Sequence, residues 1–186
     1  ITEKKHIVIV GTGFGGITAM RHLIKKLPSD FSLILIDRRH HQLYTPALYE
    51  IASTPQEITE DNMLRSSILL PIKDMIQGTA VIHLIDDFVG LNPTLKTIHL
   101  QHRGTLTYEY LILALGSETS YFDIPGLREH GLPLKNFDDA IRMRNAIEEL
   151  LKKGEELHIA VGGAGSAGVE LVAEFVNFIC IMQEKL

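Results

Sequence analysis

The segment His6-Ile7-Val8-Ile9-Val10-Gly11-Thr12-Gly13-Phe14-Gly15-Gly16 joins an unbroken apolar run to a glycine-rich turn. An apolar run without alternation is the signature of a parallel strand buried on both faces. Past the turn, Ile17, Met20, Leu23, Ile24 and Leu27 recur at helical spacing, and Pro28 stands just beyond. That spacing predicts a helix. Leu33-Ile34-Leu35-Ile36 is a second apolar strand, closed by Asp37. Strand, glycine turn, helix and strand in this order form the unit that binds a dinucleotide. In Gly11-x-Gly13-x-x-Gly16 the first glycine makes the tight turn, and the second leaves room for pyrophosphate. The third lets helix and strand pack closely. Backbone amides at the helix start face the phosphates, and Asp37 stands where a ribose hydroxyl finds its acceptor.

The pattern returns later in the chain. Leu157-His158-Ile159-Ala160-Val161 predicts another strand, feeding Gly162-Gly163-Ala164-Gly165-Ser166-Ala167-Gly168. A helix with Leu171, Val172, Phe175, Val176 and Ile179 follows, and Glu170 sits in its first turn. Two dinucleotide sites in one chain imply electron transfer between two nucleotides.

The region between them is less regular. Leu43 to Tyr49 follows Arg38-Arg39-His40-His41, and a helix is predicted around Glu57 to Leu64. Ala80–Ile85, Phe88–Leu91, Thr97–Leu100 and Thr105–Tyr110 read as strands of an antiparallel meander, with Asn92-Pro93 and Arg103-Gly104 as turns. Leu111 to Ala114 returns as a buried strand. Ile124-Pro125-Gly126 and Gly131-Leu132-Pro133 mark a domain boundary. A helix from Asp138 to Lys153 follows, capped by Gly154. The expected fold class is α/β. A Rossmann-type domain with a small antiparallel meander occupies 1–127, and a connecting segment and helix occupy 128–155. The first β-α of a second Rossmann-type domain occupies 156–186.

Composition excludes several classes. Of the 186 residues, 45% are hydrophobic and 22% charged, which is a globular balance rather than a disordered one. A net charge of −5 with basic residues only in short pairs argues against a nucleic-acid partner. One cysteine cannot close an internal disulfide, which fits a reducing, cytoplasmic setting. The apolar runs read as too short to span a bilayer. No Cys-x-x-Cys follows the first helix, so dithiol chemistry is not expected in this segment, and Cys180 reads as a buried structural thiol. The histidines are scattered. Only His40-His41 adjoin, and neighbours on a strand exit point apart, so no metal site is expected.

Gly11–Gly16 with Asp37, the run Leu111-Ile112-Leu113-Ala114-Leu115-Gly116, and the second glycine turn together resemble the two-dinucleotide flavoprotein superfamily. Within it, Leu43-Tyr44-Thr45-Pro46-Ala47-Leu48-Tyr49-Glu50-Ile51-Ala52 resembles the "FTPLLYEVA" segment of type II NADH dehydrogenases. Phe122-x-Ile124-Pro125-Gly126 and Asp139-Ala140 with Arg144 extend that likeness. Ala47 and Ala164 depart from it mildly, standing where the family has a leucine and a glycine.

The resemblance implies that the first site takes FAD and the second NAD(P)H, with NADH favoured. Gly11, Thr12, Gly13, Phe14, Gly15 and Gly16 would hold the FAD pyrophosphate, Asp37 the adenosine ribose, and Arg38 would lie near the adenine. The backbone of Phe88 or Val89 would meet the adenine. Thr45 and Pro46 would lie near the isoalloxazine, and Ala114, Leu115 and Gly116 would pass the flavin phosphate side. Gly163, Gly165 and Gly168 would receive the nicotinamide dinucleotide, with Glu170 near the meeting point of nicotinamide and flavin. The implied activity is hydride transfer from NADH to flavin and electron passage to a quinone or other small acceptor. Soluble ferredoxin- or peroxide-linked reductases, and a dinucleotide-sensing module without turnover, are the alternatives. The family runs beyond Leu186, so the rest of the second domain, the quinone site and a peripheral membrane contact are expected in a missing part. The apolar C-terminal helix and its open strand are expected to make the segment self-associate.

Overall fold

The computed structural model describes residues 4–154 and 156–184. In chain order the strands are β1 (Lys5–Val10), β2 (Phe31–Asp37), β3 (His41–Leu43), β4 (Leu69–Pro71), β5 (Ile82–Ile85), β6 (Phe88–Asn92), β7 (Thr97–Leu100), β8 (Gly104–Thr107) and β9 (Tyr110–Leu113). The helices are α1 (Phe14–Ile24), α2 (Leu48–Ala52), α3 (Asp61–Ile68), α4 (Ile72–Met75), α5 (Leu127–His130), α6 (Phe137–Lys152) and α7 (Ser166–Gln183), with a 3-10 turn at Thr45–Ala47. The chain divides into two compact units. Residues up to Gln42 together with Leu70–Ser117 form the first, and Leu43–Leu69 with the residues from Glu118 onward form the second.

The first unit is a parallel sheet in the order β5-β2-β1-β9. β1 lies in the middle, paired to β2 from Lys5↔Phe31 to Val10↔Ile36 and to β9 from Ile7↔Tyr110 to Val10↔Leu113. Its unbroken apolar run has a direct cause, since successive side chains point to opposite faces and both faces are covered. Ile7, Ile9, Leu33 and Leu35 pack with Ile17 and Met20 of α1. Val8, Val10, Ile34 and Ile36 pack with Ile98 and Leu100 of β7. β6, β7 and β8 form a separate three-stranded antiparallel sheet, turning at Pro93–Lys96 and Gln101–Arg103.

Here one expectation is corrected. Ile82–Ile85 is not a meander strand, because it pairs parallel to β2 from Ile34↔Ile82 to Asp37↔Ile85. The meander thus has three strands, and Tyr110 opens β9 rather than ending β8. Local alternation reports that a segment is extended but not which neighbour it pairs with.

The second unit is helical. Leu48, Ile51 and Ala52 of α2, Leu64 and Ile68 of α3, Phe137, Ala140, Met143, Ile147 and Leu151 of α6, and Leu171, Phe175, Phe178 and Met182 of α7 form one buried cluster. A capping box starts α6: Asn136 accepts from the Asp139 N–H at 2.9 Å, and the Asp139 carboxylate accepts from the Asn136 N–H at 3.1 Å. Gly154 follows the helix with φ +68°, the left-handed ending that glycine permits. Arg144 is fully buried, 2.8 Å from Asp61 in the first turn of α3, and it also donates to Asn145 Oδ1. Buried Glu148 accepts the Gln56 N–H at 2.8 Å, so α6 holds the connection between α2 and α3.

Three more expectations change in this unit. The helix predicted near Glu57–Leu64 starts later, at Asp61, after an extended Glu60, so that Leu64 and Ile68 fall on one buried stripe. Leu157–Val161 forms no strand, because among the described residues nothing pairs with it. Its Leu157 and Val161 instead rest against the helical cluster. Cys180 is exposed, because the buried stripe of α7 runs through Leu171, Phe175, Phe178 and Met182 on the other side. Against the expectation that the apolar runs are too short, α7 is by length and composition alone able to cross a membrane. Its four buried residues pack into the helical cluster with α2 and α6, and the rest of the helix surface is largely exposed.

Candidate functional site

The first glycine turn lies where β1 ends, between β2 and β9. Gly11 takes φ +99°, and its N–H donates to the Ile36 carbonyl at 2.7 Å. A Cβ on Gly11 would strike the Ala114 carbonyl, and one on Gly16 would strike the Gly11 carbonyl. A Cβ on Gly13 would meet nothing within 4 Å. The first and third glycines are therefore demanded by the protein itself, whereas the second faces open space at the start of α1. That helix start has no side-chain cap and no acidic residue in its first turn, the condition under which a phosphate is welcome.

Asp37 holds this turn from the end of β2. Its Oδ2 accepts from the Thr12 N–H at 2.7 Å and the Thr12 hydroxyl at 2.9 Å, and its Oδ1 accepts from the Arg39 N–H at 2.9 Å. Thr12 is buried, so the acid organises the turn as well as standing at the ribose position. Ala114 donates its N–H to Val10 and lies 3.7 Å from the place a Gly15 Cβ would take. Gly116 follows with φ +78°. The first unit thus gathers Gly11, Thr12, Gly13, Gly15, Gly16, Asp37 and Ala114 in one place, with Phe14 opening α1, Leu115 and Gly116 continuing from Ala114, and exposed Arg38 following Asp37. On β6, the register jumps from Phe88↔Leu100 to Gly90↔His99. Val89 is left without an opposite residue, as at a bulge, and 55% exposed.

A buried carboxylate that sequence reasoning missed sits beside these residues. Burial opposes the charge of Asp86. Hydrogen bonds from His102 and the Asp87 N–H prevail, and hold its carboxyl below the usual carboxylate range. His83 goes the other way, since burial lowers its pKa against the attraction of Asp37, and His40 lowers it further. The rings of His40 and His41 meet edge to face at 4.9 Å rather than pointing apart, because the chain bends through Arg38–His40 instead of continuing as a strand.

The second unit carries the other residues singled out from sequence. Thr45 and Pro46 are exposed in the 3-10 turn ahead of α2. The second glycine turn repeats the logic of the first. Gly163 has φ +118°, a Cβ on Gly168 would strike the Gly163 carbonyl, and one on Gly165 would meet nothing within 4 Å. Gly165 caps α7 with no side-chain bond. Glu170 is exposed in the first turns of α7. Partial burial raises the pKa of Tyr49 on α2, with Glu50, Glu170 and Glu174 adding to the effect. Tyr49 and Glu170 are therefore electrostatic neighbours, a link for which the sequence carries no signal because α2 and α7 are far apart in the chain.

A parallel sheet with one complete glycine turn, and a second turn of the same design, define a Rossmann-type dinucleotide-binding protein. The chain belongs to the pyridine nucleotide-disulphide oxidoreductase family, whose model matches residues 5–182. It is 30% identical to the alternative NAD(P)H-ubiquinone oxidoreductase C1, chloroplastic/mitochondrial, of Arabidopsis thaliana, over 92% of this chain and 36% of that protein. It is 25% identical to the type II NADH:quinone oxidoreductase of Staphylococcus haemolyticus, over 95% of this chain and 44% of that one. The chain thus spans less than half the length of these relatives. In fold it is similar to Plasmodium falciparum NDH2, solved in complex with NADH, with a TM-score of 0.72 and 24% identity over 94% of this chain and 37% of the other.

Proposed function

We propose that this chain supplies the FAD-binding part, and the opening of the NADH-binding part, of a flavoprotein that oxidises NADH and passes electrons to a quinone. One observation carries the reading. Gly13 opens onto empty space at an uncapped helix start, in a turn braced by Asp37 and Ala114. That cradle fits a pyrophosphate and would be filled by any larger side chain.

In this reading Gly11, Gly13, Gly15 and Gly16 admit the pyrophosphate of FAD, and Thr12 and Phe14 present backbone along the turn. Asp37 accepts from the ribose while keeping Thr12 in place, and Arg38 flanks the adenine. Of Phe88 and Val89, the bulge favours Val89 as the residue whose backbone meets the adenine. Ala114, Leu115 and Gly116 carry the chain past the flavin phosphate, and Thr45 and Pro46 border the isoalloxazine. Gly163, Gly165 and Gly168 receive NADH, and Glu170 orients the nicotinamide. FAD, when bound, supplies the acceptor for the hydride of NADH. The side chains bind, orient and exclude water, and none needs to move a proton in that half of the reaction.

The quinone acceptor rests on the relatives' names. Self-association of residues 1–186 rests on α7, whose Val169, Val172 and Val176 are exposed beside the unpaired Leu157–Val161 segment. The test of the whole reading is spectroscopic. The purified protein should show an oxidised flavin spectrum that bleaches with NADH under anaerobic conditions and returns when a soluble quinone is added. A protein without flavin, or with flavin indifferent to NADH, sinks it.

A further inference from the structure

β5 and β6 are joined by Asp86-Asp87, and the Asp86 side chain is completely buried. An ionised carboxylate in that position is costly unless it is fully partnered. Its Oδ1 accepts from the Asp87 N–H at 2.8 Å and the His102 N–H at 3.1 Å, and lies 3.0 Å from His102 Nδ1. Its Oδ2 accepts from the Arg103 N–H at 3.0 Å, with Arg103 Nε at 3.9 Å. The Asp86 N–H donates in turn to the Asp37 carbonyl at 3.0 Å. The Gln101 N–H closes the arrangement on the Asp87 carbonyl at 2.9 Å. One residue therefore ties the end of β2, where Asp37 stands, to the turn between β7 and β8. Phe88 at the start of β6 pairs with Leu100 at the end of β7, and the bulge at Val89 follows directly.

We propose that Asp86 is a positioning residue for the adenosine half of FAD, an inference that rests on the reading of the first glycine turn as the FAD site. Asp86 touches no part of the cofactor. It sets the distance between the acid proposed for the ribose and the bulged backbone proposed for the adenine, by fixing the turn that carries β7 and hence the register of β6. His102 and Arg103 are the other half of this tie. An apolar residue at 86 would pack there but would leave the His102 and Arg103 amides without an acceptor.

The test separates the two halves of the cofactor. Flavin-depleted protein, unsubstituted and Asp86→Asn, is titrated with FAD, ADP and FMN. FAD and ADP should bind about tenfold more weakly to the variant, the size of one lost charge-assisted hydrogen bond. FMN, which lacks adenosine, should be unaffected. Equal weakening of all three would mean a merely structural role, and no weakening would mean none. Either result overturns the proposal. If Asp86→Asn does not fold, His102→Ala keeps the carboxylate and removes one donor. It should weaken ADP and FAD by about threefold and leave FMN alone, and a loss shared by FMN overturns the proposal equally. Failure of the unsubstituted protein to bind FAD would instead overturn the reading of the glycine turn, and this inference with it.

Discussion

The two glycine turns share a blueprint and differ in what surrounds them. In each, the first glycine has positive φ, the third is forced by the first one's carbonyl, and the second opens onto space ahead of a helix. The first turn, however, is braced. β1 pairs on both edges, a Cβ on Gly11 would strike Ala114, and Thr12 gives two hydrogen bonds to Asp37. The second has none of this among the described residues. Leu157–Val161 has no paired edge, a Cβ on Gly163 would meet nothing within 4 Å, and Ala164 stands where Thr12 stands in the first turn. The glycine pattern fixes the shape of the turn. The neighbouring strands decide how firmly that shape is held.

This contrast can be broken most sharply at the second glycine of each motif. Gly13→Leu should abolish flavin binding, read as loss of the flavin spectrum in the purified protein. Gly165→Val should keep the flavin and raise the KM for NADH by about tenfold or more. A Gly13→Leu protein with stoichiometric flavin would remove the basis of the first assignment, and unchanged NADH kinetics would remove that of the second.

The third glycines test bracing through stability. Gly16→Ala forces a Cβ against a carbonyl that cannot retreat, so denaturant melts should show a loss of about 2–3 kcal/mol. Gly168→Ala makes the same collision in a turn free to shift, and about 1 kcal/mol or less is expected. Equal losses would show that the two turns are equally rigid. Thr12→Val removes one of the two bonds to Asp37 and should cost about 1 kcal/mol, whereas Ala164→Thr in the second turn should be nearly silent. The weakest effect concerns α7. Light scattering on residues 1–186 should show association at micromolar concentration, relieved by Val172→Glu with Val176→Glu. A stable monomer before substitution would count against association through that face.

Much of this contrast is legible in the sequence. β1 and β2 announce themselves because strands buried on both faces must be continuously apolar, and the spacing of first to third glycine follows from a collision internal to each turn. β9, expected as a buried strand, is an edge strand with Tyr110 and Leu113 exposed. What escapes is set by partners distant in the chain. Ile82–Ile85 gives no hint that it joins β2 rather than β6. α2 is too short to show a period, although Leu48, Ile51 and Ala52 lie on one face. Cys180 lies among apolar neighbours in sequence yet outside the buried stripe of its helix. Asp86 is ordinary in the string of letters, and its meaning comes from His102 and Arg103, which fold back onto it. Leu157–Val161 has the composition of a strand, but a ladder needs a second strand.

The threading of the chain has a consequence for how the protein is made. Each compact unit is assembled from two separated stretches, with Leu43–Leu69 set between the halves of the first unit and the rest of the second unit arriving from Glu118 onward. During synthesis the parallel sheet can close once β9 has emerged. Leu48, Ile51, Leu64 and Ile68 must wait for α6 and α7 before their apolar surface is covered. Both units therefore depend on contacts between residues far apart in the chain, β1 with β9 in the first and α2 with α7 in the second. Until α6 and α7 emerge, the apolar faces of α2 and α3 stay uncovered on the nascent chain, the kind of surface that chaperones bind.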